Sequence, residues 1–366
     1  MTESGARLTN HTTSSVHSHS VASTPSSLSV GLCLLTLAAC GIALLQIDLP
    51  LLRFLRSLNL SSSVQKLGDL GDQIGNGGTL IAVSLTVLGI GWLKGWPKFL
   101  RAGTESLLAH VCVALLVTGL KHLIGRPRPR FTHSDEWLWW PSWDLGLDSL
   151  PSGHSSTSFA VAAVFAKHFP WTAWPMFGLA TLVAMSRVWR GSHFVTDVVA
   201  GMATGYIVGT VLAHPLGDWR RSLSCAITNV IPAVVIVTST IWIIFHRVQD
   251  QRSNEVLSIV GIALIVLGLI SRWSRLYEWR LGIRNVSHQK ITVLIGLGFA
   301  CATGSFVVIG VTILTVMARW LGNCTVQTDR QDPVKEGSVS KECLYAIGLA
   351  LLLILTLRLK GIIPIQ

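Results

Sequence analysis

The sequence predicts an all-α, polytopic membrane protein built as a bundle of about ten transmembrane helices. Half of the 366 residues are hydrophobic and only 13% are charged, whereas a soluble domain usually carries about 25% charged residues. The mean hydropathy is +0.55. Apolar stretches near the ~20 residues that a spanning helix needs recur along most of the chain. These observations favour a membrane bundle over a large soluble core.

Ten apolar segments are the predicted spans. Two of them, 154–169 and 343–357, are short for a bilayer, and 291–319 is long enough to tilt. The ten segments are 28–47, 77–94, 104–124, 154–169, 172–189, 194–213, 223–246, 255–271, 291–319 and 343–357. An even number of spans puts both termini on one side. The distribution of basic residues only weakly favours placing the two termini in the cytoplasm. The strongest local support is the predicted inside loop 272–290.

The distribution of motifs divides the chain into three parts. Residues 1–27 are rich in Ser, Thr and His and are predicted to form a disordered cytoplasmic tail. Residues 28–217 contain six spans and every motif discussed below. Residues 218–366 contain four spans with few polar residues at membrane depth, so we expect a membrane domain of unassigned role. The sequence shows no internal repeat, which disfavours an inverted-repeat transporter.

Charge and cysteine content narrow the expected partners. The net charge of +11 is explained either by basic loops that orient helices or by an anionic ligand. Nucleic acid is not expected, because no basic run lies outside the membrane loops. None of the seven cysteines has metal-ligand spacing. Cys324 and Cys343 bracket one polar loop, and they either form a disulfide or stay reduced according to the compartment.

Tryptophans gather at the ends of the predicted spans, as in an interfacial aromatic belt. A denser cluster lies between the third and fourth spans. This cluster is either part of the same belt or a surface that dips into the headgroup region and admits a lipid. Its members are Trp137, Trp139, Trp140 and Trp143.

Three cations are predicted to meet at one membrane face. Lys121 lies in the last turn of the third span, and Arg187 ends the fifth. Arg128 lies between Pro127 and Pro129, which hold it in a stiff extended segment. Fixed cations in a poorly hydrated pocket need an anion, and phosphate suits them. Arg126 and Arg190 lie beside these positions and are treated as secondary contacts.

The turn that opens the fourth span extends this anion site. Its sequence is Pro151-Ser152-Gly153-His154. Ser152 suits the N-cap position, and Gly153 lets the backbone approach a ligand closely. The free N–H groups at a helix start attract an anion. Alone, the turn would be an ordinary helix cap, but its position between two arginine-bearing segments favours phosphate binding.

Two histidines and a carboxylate complete the predicted chemistry. His193 and Asp197 are four residues apart at the start of the sixth span, so they share a helix face. A carboxylate that accepts one imidazole N–H leaves the other nitrogen free to attack. His154 then suits the remaining role of protonating the departing oxygen.

These ordered patterns resemble the type 2 phosphatidic acid phosphatase (PAP2) superfamily over roughly residues 60–215. The matching patterns are Lys-x6-Arg-Pro, Pro-Ser-Gly-His and Ser-Arg-x5-His-x3-Asp. The resemblance implies a six-helix core, a phosphohistidine intermediate, and no metal or other cofactor. It implies phosphate binding by five residues, which are Lys121, Arg128, Ser152, Gly153 and Arg187. It also implies that His193 is the nucleophile, that Asp197 orients it and that His154 is the general acid.

The resemblance predicts an integral-membrane phosphatase of lipid phosphates or of isoprenoid diphosphates such as undecaprenyl diphosphate. The expected partner is therefore a membrane lipid substrate. The expected location is a bacterial inner membrane, with the site facing the periplasm or exterior. One alternative is a lipid phosphotransferase that uses the same intermediate. The other is a non-catalytic lipid-phosphate transporter or receptor, for which catalytic residues would have decayed. The sequence does not indicate an oligomeric state.

Overall fold

A computed structural model describes residues 27–57, 61–131, 139–245, 252–280 and 294–298, and the single residues 301, 309 and 313. Within these residues the chain is helical, with connecting loops and no β-strand. The α-helices are α1 (Ser27–Ser57), α2 (Ser62–Ile74), α3 (Gly77–Lys94), α4 (Pro97–Ile124), α5 (Gly153–His168), α6 (Ala173–Trp189), α7 (Val195–Leu212), α8 (Trp219–Phe245) and α9 (Arg252–Arg280). The predicted all-α membrane fold is thus confirmed.

The first eight predicted spans each fall on one of these helices. Four stretches are long and apolar enough to cross a membrane, namely Val30–Ser57, Gly77–Lys94, Pro97–Phe131 and Val195–Leu212. Large apolar side chains on α3 and α4, such as Leu93 and Leu115, are exposed, as expected of surfaces that meet lipid. The predicted span 291–319 is described only in part. The segment 343–357, the pair Cys324 and Cys343, and residues 1–26 lie outside the described residues.

Helix boundaries differ from the predicted ones where polar residues continue a helix. α1 runs ten residues beyond the predicted end at residue 47 and includes Asp48 and Pro50. α4 begins at Pro97, which occupies the first turn, where its missing N–H costs no hydrogen bond.

α2 was not predicted, because it is too short and too polar for a span. Its apolar and polar residues lie on opposite faces, with Leu67 and Leu70 exposed. It packs against α6. The contact is close: a Cβ atom added at Gly71 would lie 2.7 Å from the Cβ of Ser186. α2 therefore brings its acidic residues to the end of α6.

The centre of the bundle is the contact between α5 and α7. Residues Ser155–Phe165 of α5 are all buried. On α7, Gly201, Gly205 and Gly209 are spaced four apart and face the backbone of α5. A Cβ at Gly205 would lie 2.0 Å from the carbonyl oxygen of Ser156. Small residues at this spacing let helix backbones approach closely within a membrane, so the glycines hold the starts of α5 and α7 side by side.

α1 and α8 cover the other side of α7. Leu44 and Ile47 of α1 share one apolar cluster with Val195 and Val199 of α7 and Ile231 of α8. The helix that follows residue 217 therefore packs directly on the part of the chain that carries the motifs. The division of the chain at that residue stays a prediction.

Substitution of Gly205 by alanine tests the close contact between α5 and α7. The added methyl group meets the Ser156 carbonyl, so we expect destabilisation of about 1–3 kcal/mol, as for other overpacked cores. Thermal unfolding of the purified protein in detergent measures it. The matched control is Gly119→Ala, because a Cβ at Gly119 has no neighbour within 4 Å. Equal melting temperatures for the two variants would contradict the proposed contact.

Candidate active site

The cationic part of the site lies where α4 ends. Lys121 is in the last turn of α4, and Gly125 ends the helix in the left-handed conformation. The chain then turns back, so that Arg128 faces the loop that leads into α5. The Arg128 N–H donates to the carbonyl of Gly146 at 2.9 Å, and the Ser149 N–H donates to the carbonyl of Arg126 at 2.9 Å. These bonds align the two extended segments.

The start of α5 lies beside α7, as the motif analysis predicts. Ser152 occupies the N-cap position and is fully buried. Its N–H donates to the carbonyl of Asp197 at 2.9 Å. Its hydroxyl makes no capping hydrogen bond and instead accepts one from the Ser155 hydroxyl at 3.1 Å. A Cβ at Gly153 would meet only Val117, at 3.9 Å, so packing within the protein does not require glycine there.

Arg187 and His193 are joined by the tight turn between α6 and α7. Arg187 lies in the last turn of α6. Its carbonyl accepts hydrogen bonds from the N–H groups of Ser192 at 3.0 Å and His193 at 3.2 Å. Gly191 has a positive φ of 61°, which favours glycine at this turn. The cation and the predicted nucleophile are thereby held together.

His193 is buried and is held by one ring nitrogen. Its Nδ1 lies 2.9 Å from the Ser149 carbonyl oxygen and 3.7 Å from Oδ2 of Asp197. The backbone carbonyl is thus the closer acceptor, and it selects the tautomer with the proton on Nδ1. Burial lowers the pKa of His193 from 6.5 to about 4, against the opposing effect of Asp197. The imidazole is therefore neutral at neutral pH.

Asp197 belongs to a fully buried network of charges. Its Oδ1 accepts a hydrogen bond from Arg126 at 2.5 Å, and the same guanidinium donates to Oδ2 of Asp48 at 2.7 Å. All three side chains are inaccessible to solvent. Oδ2 of Asp197 accepts from the Ser149 hydroxyl at 2.5 Å and from the Phe194 N–H at 2.8 Å. Arg126, which the motif places outside its pattern, is thus central to the site's framework.

Asp148 pairs with both cations at the end of α4. Nε and Nη2 of Arg128 donate to its two oxygens at 2.7 and 2.5 Å, and Lys121 Nζ lies 3.6 Å from Oδ2. Burial raises the pKa of this carboxyl. The hydrogen bonds from Arg128 and the charges of Lys121 and Arg128 outweigh that effect and lower the pKa to about 2.

A second carboxylate, Asp72 of α2, pairs with the cation at the end of α6. It forms an ion pair with Arg187 and lies 3.6 Å from Nε2 of His154 and 3.8 Å from Nη2 of Arg190. Arg190 also pairs with Asp69. His154 lies within electrostatic range of Lys121, Arg128 and Arg190. The eight predicted site residues are thus brought to one end of the bundle.

Three acidic residues of this site were missed in the sequence. Asp48 carries a signal, because an ionisable residue beside an apolar span marks a functional position by default. Asp72 carries another, because it ends the second of two Leu-Gly-Asp repeats, at 67–69 and 70–72, that resemble the segment before the second span in bacterial PAP2 proteins. Asp72 lies on a helix too polar to be read as a span. Asp148 lies in a loop without a recognised pattern.

Exposed aromatic side chains surround the loop that carries Asp148. Trp140 and Trp143 are more than three-quarters exposed, and Trp143 stacks on His122 with ring centroids 4.1 Å apart. The guanidinium of Arg126 lies 5.4 Å from the ring centre of Trp139. Trp137 lies outside the described residues. The two predicted roles of this tryptophan cluster, as part of an interfacial belt or as a surface that admits a lipid, both stay predictions.

In the described part of the chain, no cluster of three His, Cys, Asp or Glu side chains suits a metal ion.

Comparisons with known proteins agree with the motif analysis. The profile of the PAP2 superfamily matches residues 103–221. The lipid A 1-phosphatase of Rhizobium etli is 31% identical over 186 residues, which cover 47% of this chain and 78% of that protein. The lipid A 1-diphosphate synthase of Escherichia coli is 29% identical over 154 residues, covering 37% of this chain and 63% of that protein. A crystal structure of a transmembrane PAP2 type phosphatidylglycerolphosphate phosphatase from Bacillus subtilis matches 50% of this chain and 93% of its own, with a TM-score of 0.39 and 24% identity.

The low pKa of His193 predicts a specific pH dependence of stability. Between pH 6.5 and about 4 the unfolded chain binds a proton at this position and the folded protein does not, so folding stability falls as the pH falls. We expect the melting temperature of His193→Gln to decrease less than that of the wild type between pH 7 and pH 4.5. Thermal unfolding in detergent at both pH values measures this. Parallel decreases in both proteins would show that His193 does not contribute.

Proposed function

The chain belongs to the PAP2 superfamily, and we propose that it cleaves lipid phosphate esters through a phosphohistidine formed on His193. It is a membrane protein and a phosphatase of the PAP2 type.

The burial of His193, with Nδ1 held by a backbone carbonyl, is the observation that carries the proposal. Its Nδ1 is engaged by the Ser149 carbonyl, which leaves Nε2 with the lone pair. A neutral imidazole is a nucleophile at neutral pH, whereas an imidazolium is not. Asp197, 3.7 Å from Nδ1, stabilises the positive charge that develops on the ring when Nε2 forms a bond.

The phosphate-binding roles follow from the arrangement of positive charge. We propose that Lys121, Arg128 and Arg187 bind the phosphate oxygens and stabilise the trigonal-bipyramidal phosphoryl group. The N–H groups at the start of α5 add to them, with Ser152 and Gly153 closest to the helix end. The free space over Gly153 is consistent with close approach of a ligand to the backbone. These groups supply the positive charge, so the proposed reaction needs no metal ion.

The proposed reaction has two steps. In the first, Nε2 of His193 attacks phosphorus, a P–N bond forms, and the P–O bond to the lipid breaks while His154 donates a proton to the leaving oxygen. In the second, His154 accepts a proton from water as the water oxygen attacks phosphorus. The P–N bond then breaks, and inorganic phosphate leaves. Nε2 of His154 lies 3.6 Å from Oδ1 of Asp72, the only carboxylate within ion-pair distance of this histidine in the described part of the chain.

The proposed substrate is a phosphate monoester or diphosphate whose apolar part stays in the bilayer. The site lies at one end of a bundle that contains four helices long and apolar enough to cross a membrane, and exposed tryptophans lie beside it. The relative from Rhizobium etli acts on lipid A, which supports a membrane lipid, including an isoprenoid diphosphate, over a soluble sugar phosphate.

Transfer of the phosphoryl group to a second lipid is the other candidate, supported by similarity to a lipid A 1-diphosphate synthase. The two reactions share the first step and differ in the acceptor of the second. An assay with a substrate that carries a labelled phosphate and with a second lipid as acceptor therefore separates the two reactions. Hydrolysis releases the label into solution, whereas transfer places it on the acceptor lipid.

We further propose that the site faces the outside of a bacterial inner membrane. The segment 272–290, predicted to lie inside, carries five basic residues and one acidic residue, in keeping with the excess of basic residues on the cytoplasmic side. Three of the five basic residues lie on α9, which continues to Arg280 beyond the predicted end of the span at residue 271. A lipid phosphate supplied to the outer leaflet of intact spheroplasts should be hydrolysed without lysis, and spheroplasts that carry His193→Ala should not hydrolyse it. Hydrolysis only after lysis would place the site on the cytoplasmic side.

Substitution of His193 by alanine should abolish phosphate release from every substrate, by at least about three orders of magnitude, because the nucleophile is lost. The measurement is phosphate release by purified protein from phosphatidic acid, phosphatidylglycerophosphate, undecaprenyl diphosphate, lipid A and a sugar phosphate. His214→Ala is the control, because His214 contacts Lys167 at the far ends of α5 and α7. Substantial activity in the His193 variant would exclude the phosphohistidine.

A further inference from the structure

We propose that Asp148 is a built-in competitor of phosphate: its carboxylate occupies Lys121 and Arg128 between turnovers and sets how tightly the site holds phosphate. This inference rests on the proposed phosphate-binding role of those two cations. It assigns a function to a residue that lies outside the three sequence motifs.

The geometry of the ion pair is that of phosphate recognition. Arg128 uses Nε and Nη2 to reach both oxygens of Asp148, at 2.7 and 2.5 Å. Arginine binds carboxylates and phosphates through the same pair of parallel hydrogen bonds. A phosphate bound to this edge of Arg128 therefore needs the donors that Asp148 now occupies, so the two anions exclude each other at the Nε–Nη2 edge of the guanidinium.

The surroundings allow Asp148 to leave without unfolding of the loop. The backbone is held on both sides, by the hydrogen bonds between Arg128 and Gly146 and between Ser149 and Arg126. The side chain itself is 28% exposed. A rotation about its own bonds thus carries the carboxylate into water while the loop stays in place. The Asp148 carboxyl also stays ionised near neutral pH, since its pKa is about 2.

Such a carboxylate serves the second half of the reaction. After hydrolysis, inorganic phosphate remains on cations that bound the substrate, and a site that binds phosphate strongly is inhibited by its own product. Return of Asp148 to Arg128 and Lys121 replaces the departing anion at once, so the partly buried cations are not left unpaired. Asp148 thereby weakens the binding of substrate and product alike and speeds release of the product.

The test measures binding of inorganic phosphate separately from catalysis. In the inactive His193→Ala background, inorganic phosphate is titrated at constant ionic strength, and the shift in melting temperature gives its Kd. With Asp148→Asn or Asp148→Ala, we expect roughly tenfold tighter binding, because a competing negative charge is gone. Asp144→Asn is the matched control. It removes the same charge from the same loop, but Asp144 is exposed and hydrogen-bonds to Ser142.

In proteins that retain His193, the Asp148 variants should be inhibited by inorganic phosphate at roughly tenfold lower concentrations than the wild type. Two substitutions are used so that misfolding of one leaves the other informative. Phosphate affinity that is unchanged or weaker in the Asp148 variants, or absent in all proteins, would overturn the inference. A wild-type protein that binds phosphate but releases none from any lipid would instead overturn the proposed function.

Discussion

The buried contact of Arg126 with Asp48 and Asp197 is the constraint on which the rest of the site depends. Three charged side chains without solvent access are expensive to bury, and loss of one partner typically costs about 3–5 kcal/mol because another charge is left unpaired. The network is satisfied only when α1, the loop after α4 and the start of α7 are all in place. The Thr196 N–H, which donates to Asp48 at 3.1 Å, ties α1 to α7 a second time.

The position of His193, the proposed nucleophile, follows from that network through a short series of hydrogen bonds. The carboxylate of Asp197 accepts a hydrogen bond from the Ser149 hydroxyl. The backbone carbonyl of Ser149 in turn accepts a hydrogen bond from Nδ1 of His193. The backbone carbonyl of Asp197 accepts a hydrogen bond from the N–H of Ser152 at the start of α5. The close approach of α7 to the start of α5 requires glycine on α7, because any side chain at Gly201 would meet the Ser152 carbonyl. Asp197 therefore orients His193 through its side chain, by way of Ser149, and holds the turn proposed to bind phosphate through its backbone carbonyl.

Much of the fold and the identity of the motif residues could be predicted from sequence, because both depend on local patterns. Apolar length gave the positions of the first eight spans, and the number of spans between motifs implied that the motifs share one face. The partners of the cations could not be predicted. Asp72 and Asp148 reach Arg187 and Arg128 only through the packing of α2 on α6 and the pairing of two loop segments. Arg126 was treated as a secondary contact because it lies outside the motif pattern, and its two carboxylates lie 78 and 71 residues away along the chain, where no local pattern reaches.

The same partners change how the site's charge should be understood. The motif residues alone form a cluster of cations without a bound anion. Such a cluster in a poorly hydrated pocket would oppose folding, because the positive charges repel one another. Asp148 and Asp72 pair with Arg128 and Arg187, so the folded site is close to charge balance before any ligand arrives. With the proposed phosphate-binding roles, binding of phosphate is an exchange of one anion for another rather than the filling of an empty positive pocket. The affinity of the proposed site then reflects the difference between two similar interactions, which a change in either carboxylate alters without touching the residues proposed to perform the chemistry.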